Sequence, residues 1–170
     1  MTLVSPNEFI TLRESLHLSP ERLAKLAGFT SSQPIIHFEN GGTKIPESIH
    51  DLLKNLDSTA NRIANLCVKD ACSHIKDSRL RPENYKTIAL LYYGSDADLH
   101  FADAEAYEKL HCFEAYFAAI ERAHQQLIKL NAKSKLVLFN RGKYETWLNT
   151  NEFKHSSENR IKWTMMQEKS

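Results

Sequence analysis

The sequence predicts a mainly α protein, with a bundle of short helices over residues 1–57 and an α-rich region with one or two short strands over residues 58–170. Three observations predict it. Residues 19–46, SPERLAKLAGFTSSQPIIHFENGGTKIP, repeat apolar side chains at helical spacing between capping residues and glycines. Residues 103–130 carry one apolar stripe, from Tyr107 through Leu110, Phe113, Phe117, Ile120, Ala123 and Leu127 to Leu130. Only residues 87–93, TIALLYY, and 136–139 read as strands, the first being short enough to be a buried helix instead.

The elements follow in order. Ser5, Pro6 and Glu8 start a first helix with a Ser-x-x-Glu capping box, and Phe9, Leu12 and Leu16 form its stripe. Ser19 caps a second helix, Pro20 fits its first position, and Glu21 favours the positive end of the dipole. Leu23, Leu26 and Ala27 repeat on one face, and Ala24 is small enough for a close helix crossing. Gly28 stands where the chain turns, and Phe29 plugs the corner. Thr30, Ser31 and Ser32 are three candidate caps, of which Ser31 leaves Pro34 within the first turn of the next helix. Ile35 and Phe38 then face inward, while Ser32, Gln33, Ile36, His37 and Asn40 point outward. Gly41 and Gly42 end that helix, and Ile45, Pro46 and Glu47 open another. Four or five helices are expected by residue 56. This is the plan of a helix-turn-helix, which offers one helix to the major groove of DNA.

After Leu56, Asp57 or Ser58 caps a helix to about His74, broken by Arg81-Pro82. Gly94-Ser95-Asp96 signals a turn, and Asp103 caps a long helix to about Leu130. Its stripe reads as core, with packing against a second copy as the alternative. Gly142 leads into a helix over Tyr144 to Leu148, and residues 161–166 are helical.

The run from Arg13 to Pro46 resembles the lambda-repressor/Cro-like, XRE-type helix-turn-helix. Arg13, Leu18-Ser19, Leu23-Ala24, Gly28, Ile35, Glu39, Gly41 and Ile45-Pro46 carry the likeness. The interval from Gly28 to Glu39 is one residue longer than the common pattern. The YdiL-like proteins, which include an anti-CRISPR-associated repressor, share that extra residue, and their aromatic-Glu-x-Gly step is similar to Phe38-Glu39-Asn40-Gly41. Lys135-Leu-Val-Leu-Phe-Asn140, then Tyr144, Trp147-Leu148 and Ile161-Lys162-Trp163, is similar to that family's C-terminal strand-helix-turn-tryptophan segment. The two matches span roughly half the chain and leave residues 82–130 as an insertion relative to the shortest members: a dimer arm, a ligand pocket or padding for the core. The resemblance implies dimeric DNA-binding regulators, some repressing a neighbouring operon. Two positions depart from the pattern. Gln33 stands where the family often has a basic residue and suits adenine instead, and Pro34 is unusual in the first turn of a recognition helix.

Composition sets loose bounds. The chain has 170 residues, enough for a real core, and a net charge of +1. No stretch approaches the ~20 apolar residues of a membrane span. No basic region precedes an apolar core at the N-terminus, so a signal peptide is not expected. Cys67, Cys72 and Cys112 form no C-x-x-C pair and suit a reduced, cytoplasmic protein without metal or cofactor. Residues 1–56 hold five Lys/Arg against six Asp/Glu, a weak basic footprint for DNA binding. Arg62, Lys69, Lys76, Arg79 and Arg81, and again Lys129, Lys133, Lys135, Arg141 and Lys143, are basic runs that read as solvated surface.

The chemistry expected is recognition without catalysis. Two copies related by a two-fold axis would read the half-sites of a palindromic operator about one turn, ~34 Å, apart. Ser32, Gln33, His37 and Asn40 are the expected base contacts. Arg22, Thr30, Ser31 and Lys44 are the expected phosphate contacts, with Lys25 able to add to them. The alternatives are a protein-interaction module on the same scaffold, and an enzyme centred on residues 94–100. In the latter, Gly94-Ser95 with Asp96 and Asp98 resembles parts of nucleotidyltransferase sites at the wrong spacing. A metal cluster of His100, His111 and Cys112 is disfavoured, because neighbouring side chains diverge by about 100° on a helix.

Overall fold

A computed structural model describes residues 5–77 and 87–167. Over these the chain is mainly helical, with a short two-stranded parallel sheet. The expected break at Arg81-Pro82 lies outside the described residues, as do Arg79 and the side chain of Lys76.

The N-terminal helices form where their caps place them. α1 (Pro6–Glu14) starts at Ser5, whose hydroxyl accepts from the Glu8 N–H while the Glu8 carboxylate accepts from the Ser5 N–H. α2 (Pro20–Leu26) starts at Ser19, which accepts from the Arg22 N–H. α3 (Gln33–Glu39) starts one residue later than expected, at Ser32 rather than Ser31. Ser32 makes no side-chain capping bond, and Pro34 sits in the first turn, where its missing N–H costs nothing. α4 (Glu47–Asp77) then runs unbroken for 31 residues. The helix expected to start at Asp57 or Ser58 is therefore the middle of α4, and three helices plus the first turns of a fourth precede residue 57. No glycine or proline interrupts this stretch, and small Ala60, Ala64 and Ala71 keep its inner face packed close. The 57/58 division falls inside a continuous helix rather than in a linker.

β1 (Ile88–Tyr92) and β2 (Ser134–Leu138) pair in parallel, from Ile88 opposite Ser134 to Tyr92 opposite Leu138. Parallel partners need a long crossover. Here it consists of α5 (Asp96–Ala102), α6 (Ala104–Leu110) and α7 (Phe113–Lys129). The single helix expected over 103–130 is two. Asp103 does cap α6, accepting from the Ala106 N–H. The chain then bends at His111, which takes the left-handed conformation (φ 56°), and restarts at Cys112. Burial drives the bend, because Leu110 and Cys112 on either side of it are both fully enclosed.

Strand side chains alternate between faces. Ser134 meets His124 of α7 at 2.8 Å, whereas Lys135 donates to the Gln167 carbonyl and Phe139 packs on Trp163 of α9 (Ser157–Met166). The sheet is thus sandwiched between α7 and α9. α8 (Arg141–Thr150) joins them, capped by Asn140, and buries Tyr144 and Leu148. Phe139 touches Tyr93, Tyr144 and Trp163 at ring distances of 5.4, 5.5 and 5.7 Å.

One continuous core runs from Phe9 and Leu53 to Leu127 and Trp163. Leu53→Ala is accordingly expected to cost about 2–5 kcal/mol. Both tryptophans, Trp147 and Trp163, lie in the C-terminal region, so urea unfolding followed by their fluorescence reports that region. The midpoint should fall together with that from circular dichroism; an unmoved tryptophan transition would show that the two regions unfold separately.

Candidate functional site

The corner between α2 and α3 is built by local chemistry. Gly28 adopts φ +79°, a region that L side chains rarely enter, and lets the chain reverse after Ala27. Phe29 wedges into the turn against Phe38, with ring centroids 6.5 Å apart, and Phe9 of α1 meets Phe38 edge-on at 6.2 Å. Ile35 is fully buried and Phe38 nearly so. Gly41, at φ +69°, ends α3, and the Gly42 N–H closes back on the His37 carbonyl at 2.9 Å.

A buried charge fixes the helix from beneath. Arg13 is 7% exposed; its Nε donates to Glu39 Oε1 at 2.5 Å and its Nη1 to the Leu18 carbonyl at 2.6 Å. Arg13 thereby ties α1, the α1–α2 connection and the last residue of α3 to one point.

With Ile35 and Phe38 turned inward, the opposite side of α3 is open. Gln33, His37 and Asn40 are exposed, and Ser32 is half-buried. Their spacing of four and three residues places Gln33, His37 and Asn40 on one helical face. Thr30, Ser31 and Lys44 are exposed at the two ends of that face, and Lys25 is exposed on α2. Glu21 stands nearby as an exposed carboxylate. Its own backbone N–H and the Ser19 hydroxyl hold its acid form below the usual range, with Ser32 contributing less.

Arg22 is engaged within the protein. Expected among the phosphate contacts, it points to the C-terminal region instead. Its Nη2 donates to both oxygens of Asp96 at 2.5 Å, and its Nε lies 3.0 and 3.1 Å from the two oxygens of Glu114. Two carboxylates outcompete solvent for this guanidinium, which is only 15% exposed. Other cross-links escaped sequence reasoning. Arg122 of α7 binds Asp57 at 2.8 Å, Asn61 at 2.8 Å and the Ser15 carbonyl at 3.0 Å. His17, in the turn after α1, meets Glu121 at 2.8 Å and packs on Phe117. No local signal marks such pairs, whose members lie 61 to 107 residues apart.

The segment 94–100 is a turn and a helix cap. Ser95 accepts from the Asp98 N–H, and Asp96 accepts from Arg22 and from the Phe113 N–H. His100, His111 and Cys112 do not converge: the Tyr107 ring contacts each imidazole, tilted against His100 at 4.9 Å and edge-on to His111 at 6.3 Å, and Cys112 is buried while His111 is exposed. Among the described residues no group of three or more His, Cys, Asp or Glu is placed to hold a metal ion. Burial pushes the Cys67 and Cys112 thiols up to about 11, leaving little thiolate near neutrality. No helix among the described residues is long and apolar enough to cross a membrane. An open groove lies between α1, residues 41–46 and the start of α4, and its mixed lining, Glu8, Lys44, Glu47, His50 and Asp51 among it, singles out no ligand chemistry.

Glu39→Ala strands a buried guanidinium and is expected to cost about 3 kcal/mol or more, read from the denaturant midpoint. The paired change Arg13→Met with Glu39→Leu removes both charges and should recover most of that loss. A Glu39→Ala protein as stable as the parent would show that the pair does not fix α3.

A comparison with curated proteins finds no match. The family described as a domain of unknown function, DUF4447, matches residues 3–168. That match spans both the N-terminal corner and the sheet region, and the chain belongs to the DUF4447 family.

Proposed function

We propose that this protein is a sequence-specific DNA-binding regulator that acts as a homodimer and represses by occluding a promoter. The observation that carries the reading is the outward face of α3. Gln33, His37 and Asn40 stand free above a buried Ile35 and Phe38, in a corner of two short helices held by Arg13 and Glu39. A helix so mounted fits the lambda-repressor-like arrangement, and its side chains can reach base edges in the major groove. Gln33 offers one donor and one acceptor, the pair that adenine presents there. Ser32, His37 and Asn40 flank it, and the exposure of Thr30, Ser31 and Lys44 supports a phosphate-contact role for them. The exposed large apolar side chains among the described residues all lie after residue 58, Leu130, Leu138, Ile161 and Met165 among them. This supports a dimer contact in the C-terminal region.

One observation favours a second reading, a protein-interaction module without DNA binding. Residues 1–56 are acidic by one charge, and Arg22 is engaged by two carboxylates.

A gel shift with duplex DNA flanking the gene, paired with light scattering, separates the two. The regulator should give a salt-sensitive complex from a dimeric protein. Gln33→Ala should lose about 1–3 kcal/mol of affinity for the specific site. Lys44→Ala should weaken all duplexes alike and flatten the slope of log affinity against log salt by ~0.9. Binding indifferent to Gln33→Ala would refute the face assigned to α3. An oligomer with no specific complex at low salt would favour the interaction module.

A further inference from the structure

Arg22 occupies the first turn of α2, on the helix that leads into the α2–α3 corner, yet its charge is spent inside the protein. Its captors come from two other helix starts. Asp96 is the first residue of α5 and Glu114 lies in the first turn of α7. Asp96 also accepts the Phe113 N–H at 3.0 Å, which fixes the beginning of α5 against that of α7. The guanidinium of Arg22 engages both acids at once, through Nη2 on the two oxygens of Asp96 and through Nε on Glu114. One cation against two anions leaves the cluster with a net negative charge. Residues 1–46 contain four Lys/Arg: Arg13, Arg22, Lys25 and Lys44. Arg13 is consumed by Glu39 and Arg22 by this cluster, so half the cationic charge of the corner is neutralised internally.

We propose that Asp96 and Glu114 form an ion-pair latch that withholds Arg22 from the phosphate backbone and so holds down the sequence-independent affinity of the α3 face. This regulation rests on the DNA reading above. Phosphate contacts supply nearly all non-specific affinity, each adding ~0.9 to the salt slope. With Arg22 latched, a duplex gains that contact only by displacing two carboxylates, so base contacts from α3 must carry more of the binding. The Asp96 side chain is 30% exposed, leaving the latch open to exchange at its rim.

The test is a cycle of four full-length proteins: the parent, Arg22→Gln, Asp96→Asn with Glu114→Gln, and all three changes together. The probe is a 20-base-pair random-sequence duplex, titrated from 50 to 200 mM salt. Comparing proteins with and without Arg22 inside each background cancels the added charge of the neutralised acids. In the parent background Arg22→Gln should leave the salt slope unchanged. In the Asp96→Asn/Glu114→Gln background it should flatten the slope by ~0.9, which is roughly a three- to fourfold smaller loss of affinity over that range. If the double variant fails to unfold cooperatively, Glu114→Gln alone, which keeps Asp96 on the Phe113 N–H, replaces it with the same expected sign. Equal effects of Arg22→Gln in both backgrounds would overturn the latch while leaving a salt-sensitive parent complex, and the DNA reading, in place. No duplex binding by any of the four would overturn both.

Discussion

A buried guanidinium organises the N-terminal bundle. Burying the Arg13 guanidinium to 7% exposure is costly without partners, and it has Glu39 and the Leu18 carbonyl. Meeting that requirement sets the rotation of α3 about its own axis. Glu39 must face α1, so Ile35 and Phe38 turn into the core and the Gln33–His37–Asn40 face turns out. A seven-residue helix has little stability of its own. Its direction is imposed by this ion pair and by the three-ring contact of Phe9, Phe29 and Phe38.

The corner is not a head on a tether. α4 runs through the expected division, and α7 reaches the N-terminal bundle through Arg122 and Glu121. Arg22 adds a third link through Glu114. All three are partly exposed polar contacts, individually weak in water, but they lie over a shared apolar core that does most of the holding.

What the sequence made legible was local. The Ser5–Glu8 box, the Ser19 cap, the turn at Gly28 and the stop at Gly41 each depend on residues within a few positions. The inward pair Ile35 and Phe38 follows from spacing alone. The second strand was legible from composition, and the first only as a strand or a buried helix; that they pair in parallel was not, since the register depends on how α5 to α7 pack between them. The bend at His111 carries no glycine or proline, so an apolar stripe read across it as one helix. Asp57 and Ser58 imitate a cap in sequence, although nothing there breaks the helix. Arg22 looked like a free cation because its partners lie 74 and 92 residues away.

The most direct test of the central claim is a selection of bound duplexes from random DNA by the full-length protein. A reading face anchored by Arg13 and presented twice predicts enrichment of an inverted repeat, with half-site centres about one helical turn, ~34 Å, apart and a required adenine in each half. Recovery of sequences with no shared pattern, at salt low enough to retain DNA, would contradict it.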